Sequence, residues 1–162
     1  THEPEYRRKI EANALYFKNT SDINEETFCW EYLVADCPAT GEDLAHAACQ
    51  VAFAEQCVKE GIIFTETDIQ KIAGTLARKI FKYGKVPAGF LRGYCPAIDV
   101  SVAAWSSLCK FEPDVFQKIS IILHTAITEK DRLFDGSEGW GIRLLTNLEK
   151  ARKEINSCTK HT

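Results

Sequence analysis

The stretch that decides the fold is TETDIQKIAGTLARKI, residues Thr65 to Ile80. Thr65 and Asp68 have the spacing of a helix start, where side-chain oxygens accept hydrogen bonds from the first free backbone amides. The apolar residues after them recur every three or four positions, which is the period of one helix face. The pattern predicts an amphipathic helix that ends at Gly84 and buries Ile69, Ile72, Ala73, Leu76 and Ile80.

The same helical period is found on the N-terminal side of this stretch. Pro4 can begin a first helix, and Ser21 or Asp22 a second one that runs to Asp36. A third helix is expected between a cap at Thr40 and a left-handed terminator at Gly61. Its apolar face is predicted to hold Leu44, Ala48, Val51 and Val58, and that of the first helix Tyr6, Ile10, Ala14 and Phe17.

Three further helices are predicted on the C-terminal side. Asp99 can cap the fifth helix, and Pro113 lies at the first turn of the sixth. The last helix follows the break at Asp135–Gly136–Ser137. The inward residues are expected to be Val102, Ala103, Trp105 and Leu108 in the fifth helix, Val115, Ile119, Ile122, Leu123 and Ile127 in the sixth, and Gly141, Leu144, Leu145, Leu148, Ala151, Ile155 and Cys158 in the last.

Size and composition favour one globular unit. The chain has 162 residues, of which 45% are hydrophobic and 27% charged, and its net charge is −3. So small a net charge gives no indication of a polyanion partner, and we predict no nucleic-acid partner. No apolar run approaches the roughly 20 residues that a membrane span requires. We predict an all-α, compact, disulfide-stabilised bundle of about six or seven helices, forming a single domain over residues 1–162.

Seven cysteines are many for a reduced intracellular protein, and they favour a disulfide framework. In ideal helices, Cys29 and Cys49 would lie about 12 Å on either side of the turn at residues 38–41. They would therefore be level with each other, which makes Cys29–Cys49 the favoured bridge. The other cysteines are expected to tie the loop and the last helix to the bundle, with one thiol left over: Cys37, Cys57, Cys95, Cys109 and Cys158.

Secretion is the expected location. The chain begins at Thr1 and contains no methionine, as a mature chain would after removal of a signal peptide. Asn19-Thr20-Ser21 is an acceptor triplet for N-glycosylation, so Asn19 is a candidate glycosylation site. With no C-x-x-C motif and only four histidines, the sequence predicts no metal site and no cofactor.

The most unusual segment runs from Lys82 to Tyr94 and places basic and aromatic side chains among glycines. Glycines permit close backbone approach, and such a loop can stack on a ring, clamp an anion or dock a protein. Packing of its apolar residues into the core is the simpler interpretation. Trp140, beside two glycines, is a similar candidate. The predicted binding residues are Lys82, Tyr83, Lys85, Phe90, Arg92, Tyr94 and Trp140.

The segment Val51 to Tyr83 contains a helix, a Gly-Ile turn, a Thr-x-x-Asp cap and a basic helix, and it loosely resembles part of the secreted helical chorismate mutases. The resemblance covers about a fifth of the chain. It implies an active site of Arg, Lys and Glu side chains in a helical core, to which Arg78 and Lys82 would contribute. The segment from Phe28 to Asp36 supplies no arginine.

Three functions are consistent with these patterns. The first is a secreted, non-catalytic binding or effector protein that acts through a protein–protein surface. The second is a carrier of a small apolar ligand between helices. The third is a small helical enzyme acting on an anionic metabolite through Arg78, Lys82 and Arg92. Because no catalytic motif is assembled in the sequence, a protein partner is the leading prediction.

Overall fold

The structure, a computed structural model, describes residues 3–30, 44–82 and 100–128, together with two single helical positions, Glu149 and Lys153. The described part is mostly helical, as predicted. Its elements are α1 (Glu3–Thr20), β1 (Asp22–Ile23), β2 (Phe28–Cys29), α2 (Leu44–Lys59), α3 (Glu66–Thr75), a π-helical segment (Leu76–Ile80), a 3-10 helix (Val100–Lys110) and α4 (Pro113–Thr128).

The start of α3 is the predicted cap. Thr65 and Asp68 form a capping box, in which the Asp68 backbone N–H donates to Thr65 Oγ1 at 3.3 Å and the Thr65 N–H donates to Asp68 Oδ2 at 2.8 Å. Asp68 Oδ2 also accepts a hydrogen bond from Lys18 Nζ at 2.7 Å. The cap therefore does more than begin a helix, because it also fastens α1 to α3.

The apolar face predicted for α3 and its continuation is confirmed. All five of its residues are buried and belong to one core that α2, the 3-10 helix and α4 complete. In the 3-10 helix Val102, Trp105 and Leu108 are fully buried, and their spacing of three matches the three residues per turn of that helix. Gly61, at φ +65°, follows the end of α2, as predicted.

The predicted second helix is wrong where the structure describes it. Residues 22–29 form an antiparallel hairpin in which Asp22 pairs with Cys29 and Ile23 with Phe28. Asn24 turns the chain, because its Oδ1 accepts hydrogen bonds from the backbone N–H groups of Glu26 and Thr27 at 2.9 and 2.8 Å. Ser21, predicted as a helix cap, instead donates its hydroxyl hydrogen to Phe17 O at the end of α1.

Thr75 joins the hairpin to α3. Its Oγ1 accepts the backbone N–H of Phe28 at 2.9 Å and donates to Phe28 O at 2.8 Å. One buried hydroxyl thus satisfies both backbone groups on the side of β2 that faces α3. A helix side chain takes the place that a third strand would fill.

Gly74 lets the hairpin come close enough for that contact. A Cβ atom at this position would lie 2.0 Å from the backbone oxygen of Glu26 and 2.9 Å from Nη1 of Arg78. The first distance involves backbone, which cannot swing aside. Glycine is therefore required at position 74, in the last turn of α3, despite its helix-weakening effect.

Aromatic side chains connect the hairpin to the rest of the core. Phe17 meets Trp30 edge to face at 5.2 Å between ring centroids, and Trp30 stacks on Trp105 at 6.1 Å. Trp105 Nε1 donates to the backbone oxygen of Leu44 at 3.1 Å. These contacts link α1, β2, the 3-10 helix and the start of α2.

The apolar face predicted for α1 is confirmed only near its C-terminal end. Ala14 is buried and Phe17 half-buried, whereas Tyr6 and Ile10 are 63% and 39% exposed. The helical spacing was correct for all four residues. Burial stops because the Lys18–Asp68 bond and the Phe17 ring hold only the C-terminal turns of α1 against the core.

The predicted Cys29–Cys49 disulfide is not formed. Cys29 lies in β2, buried, with Sγ 3.8 Å from Thr75 Oγ1, and Cys49 is an exposed thiol on α2. The predicted bridge depends on helical rise on both sides of a turn, and that premise fails because Cys29 is in a strand. No two cysteines within the described ranges lie at disulfide distance.

Several predictions fall outside the described residues. They concern the cap at Thr40, the loop after Lys82, the cap at Asp99 and the thiols of Cys37, Cys95 and Cys158. The last helix is described only at Glu149 and Lys153, whose side chains form an ion pair at 3.2 Å. Among the described helices, none combines the length and apolarity needed to cross a bilayer.

Replacing Thr75 by valine should destabilise the protein. Valine keeps the shape of threonine but leaves Phe28 N–H and Phe28 O buried without partners, which costs roughly 1–3 kcal/mol for each group. We expect the free energy of unfolding in urea to fall by about 2–4 kcal/mol. Thr75→Ser, which keeps the hydroxyl, should lose much less. Equal losses in the two variants would contradict the role assigned to the hydroxyl.

Acid should selectively weaken the α1–α3 contact. Burial raises the pKa of Asp68, but the hydrogen bonds from Lys18 and Thr65 outweigh it, so the net pKa lies below its usual value. This stabilisation is complete above the unfolded pKa of about 3.9 and is lost as the pH falls through the lower folded value. In urea unfolding, the stability difference between wild type and Asp68→Asn should therefore narrow in acid. A stability difference independent of pH would contradict the role assigned to Asp68. Glu66→Gln, which removes another carboxylate from the first turn of α3, is the control.

Candidate functional site

An open groove of about 330 Å³ lies where the hairpin turn, α3 and the start of α4 meet. Its position follows from the fold, since Gly74 and Thr75 bring the hairpin onto α3 and the adjoining turn of residues 24–27 forms one wall. The junction between the 3-10 helix and α4 forms the opposite wall. The lining residues are Glu25, Glu26, Thr67, Gln70, Lys71, Arg78, Phe111 and Glu112.

Arg78 connects the two walls. Its Nε lies 3.6 Å from Glu26 Oε2 on the hairpin turn, and its Nη1 donates to Glu112 Oε1 at 3.1 Å on the other side. The guanidinium also lies over Gly74, whose missing side chain leaves room for it. Arg78 belongs to the π-helical segment, a distortion found frequently at functional sites.

The far wall is built from two consecutive residues. Phe111 N–H donates to Leu108 O and Val115 N–H donates to Glu112 O, both at 3.0 Å, so the turn between the two helices is fixed on both sides. Phe111 is half-buried, and Lys110 Nζ lies 4.8 Å from the centroid of its ring. This wall therefore presents an aromatic face next to a carboxylate.

The predicted binding residues are only partly placed. Lys82 is exposed, just beyond the π-helical segment. Tyr83, Lys85, Phe90, Arg92, Tyr94 and Trp140 lie outside the described residues.

Arg78, one of the residues proposed to bind an anionic substrate, is placed unfavourably for that role. Arg78 is 45% exposed and its guanidinium already faces two carboxylates. A negatively charged ligand at this position would have to approach Glu26 and Glu112 as well. The geometry of Arg78 is that of a cation bound by acidic side chains.

The described thiols differ in accessibility. Burial raises the pKa of the Cys109 thiol to about 12 and also raises the pKa of Cys57. Both therefore remain protonated at neutral pH, and a protonated thiol is a poor nucleophile.

Within the described part, no three His, Cys, Asp or Glu side chains are grouped as a metal site would require.

Sequence patterns alone identify only Arg78 among the groove residues. Glu25 and Glu26 lie in a turn that the helical period places in a helix interior, where they look like ordinary solvated side chains. Two signals for the true arrangement are present in the sequence. Asn24 is a strong turn residue, and a glycine inside an otherwise regular helix, as Gly74 is, usually has a packing reason.

No protein-family model matches the chain, and neither a search of curated proteins nor one of solved structures finds a significant match. The function must therefore be argued from the site itself.

Proposed function

We propose that the protein is a secreted, non-catalytic binding protein that engages another protein through the groove between the hairpin turn, α3 and the start of α4. The observation that carries the proposal is the pairing of Arg78 with Glu26 and Glu112 beside Phe111. These side chains join three elements into one surface of charged, polar and aromatic groups. Aromatic and arginine side chains are enriched where proteins recognise one another.

The rigidity of the walls supports this role. The hairpin turn is held by four hydrogen bonds that involve Asn24. Its Oδ1 accepts from the backbone N–H groups of Glu26 and Thr27, its Nδ2 donates to Thr27 Oγ1, and its backbone N–H donates to Thr27 O. The opposite wall is held by the backbone bonds of Phe111 and Val115. A surface fixed in this way loses little conformational entropy when a partner binds.

The alternatives receive less support. An enzyme acting on an anionic metabolite would need the charge of Arg78, which Glu26 and Glu112 already face. A carrier would need interhelical space, whereas in the described core the aromatic side chains around Phe17, Trp30 and Phe64 pack against one another at centroid distances of 5.2 to 6.4 Å.

Secretion is part of the proposal, and Asn19 supports it. This residue is exposed in the last turn of α1, where an attached glycan would meet solvent. The described cysteines form no disulfide with one another and so add no support for secretion.

Site-specific photocross-linking tests the proposal. A benzophenone amino acid at Phe111 in the groove is compared with the same group at exposed Tyr16 on α1, using the full chain in medium from the cells that produce it. We expect one protein adduct from position 111 alone, abolished by excess unlabelled wild type. Unlabelled Glu25→Lys should compete poorly, because Glu25 lines the groove. This carboxylate is exposed and has no partner within the described part, so we expect its reversal to leave the fold intact.

Two results would contradict the proposal. One is the absence of any specific adduct at position 111. The other is equal competition by wild type and Glu25→Lys, which would place the binding surface away from the groove.

A further inference from the structure

Three groups in the groove that can bind a cation already contact one from this chain. Glu26 and Glu112 face the guanidinium of Arg78, and the ring of Phe111 faces the ammonium of Lys110. Carboxylates and aromatic faces are two kinds of protein group that recognise guanidinium and ammonium ions. The contacts within this chain therefore indicate that the groove walls suit guanidinium and ammonium groups.

The acceptors are not saturated. Arg78 approaches one oxygen of Glu26 and one of Glu112, whereas a carboxylate can accept about four hydrogen bonds. Glu25 is exposed and has no hydrogen bond or ion pair within the described part. The lining contains three glutamates and two cations, Lys71 and Arg78, so its formal charge is −1.

The contacts of Arg78 are also replaceable. Its side chain is 45% exposed, whereas Glu26 is 68% and Glu112 29% exposed, so the pair with Glu26 is the more open one. Ion pairs so open to water contribute little, because solvent screens them and both side chains lose freedom. A second guanidinium that reached Glu25 and the free oxygens of Glu26 could share or displace Arg78 at small cost.

We propose that the groove binds an arginine- or lysine-bearing segment of the protein partner, and that Arg78 is an internal cation that competes with this segment for Glu26 and Glu112. The inference rests on the proposed function and adds the chemistry of the partner. Arg78 then tunes affinity. Its charge weakens the attraction for a basic segment and keeps the groove partly occupied when no partner is present.

A peptide titration tests the inference without the natural partner. The probe is acetyl-Gly-Arg-Gly-Arg-Gly-amide, added to the ¹⁵N-labelled full chain at low ionic strength, with the Gln-for-Arg peptide as the control. Saturable shifts are expected at the amides of Glu25, Glu26 and Glu112 for the arginine peptide alone. Arg78→Gln should tighten binding about two- to fivefold and Glu25→Gln should weaken it by a similar factor.

Glu60→Gln at the end of α2 is the matched control and should bind as wild type does, because Glu60 lies outside the groove. The inference is overturned if the Gln peptide binds equally well, if no saturable shifts occur in the groove, or if Arg78→Gln weakens binding. Its failure differs from failure of the proposed function. A natural partner that cross-links at position 111 but is not displaced by the arginine peptide would support the proposed function. The same result would contradict the proposal that a basic segment of the partner binds in the groove.

Discussion

The described structure depends on the contact between α3 and the hairpin at Gly74 and Thr75. At this point a helix and a short two-stranded ribbon approach so closely that no side chain fits between Gly74 and the backbone of Glu26. The next residue then satisfies both polar groups of Phe28 with one hydroxyl. A hairpin with two residues in each strand is unstable alone. Its stability must come from this contact and from the burial of Phe28 and Trp30 in the core.

The groove is a consequence of the same contact. By holding the hairpin against α3, Gly74 places Glu25 and Glu26 opposite Glu112, and it leaves the space in which Arg78 lies. The acidic residues are therefore fixed in place by the packing of the core. This coupling links stability to binding, since a change that loosens the hairpin would move one entire wall of the proposed site. The weakly held ion pairs of Arg78 are the adjustable part of an otherwise rigid surface.

The sequence was informative where structure is decided by local chemistry. The Thr65–Asp68 cap, the buried face from Ile69 to Ile80 and the terminator at Gly61 all follow from spacing and backbone preference, and the structure has them. The hairpin was missed because its decisive partner, Thr75, lies 47 residues further along the chain from Phe28. Phe28, Cys29 and Trp30 suit a buried helix or a buried strand equally well, so periodicity could not separate the two. The predicted Cys29–Cys49 bridge was wrong because its geometry assumed a helix at Cys29. The groove could not be foreseen because its walls come from three separate segments.

Amide hydrogen exchange at Phe28 tests the central contact most directly. Its N–H group is bound by Thr75 Oγ1 and lies in the core, so it should exchange only when the whole described unit unfolds. We expect a protection factor for Phe28 close to that of Ile72 in the middle of α3. Exchange as fast as that of Glu25, an exposed residue in the adjoining turn, would mean that the hairpin is not docked on α3. That result would contradict the dependence of both the fold and the groove on this contact.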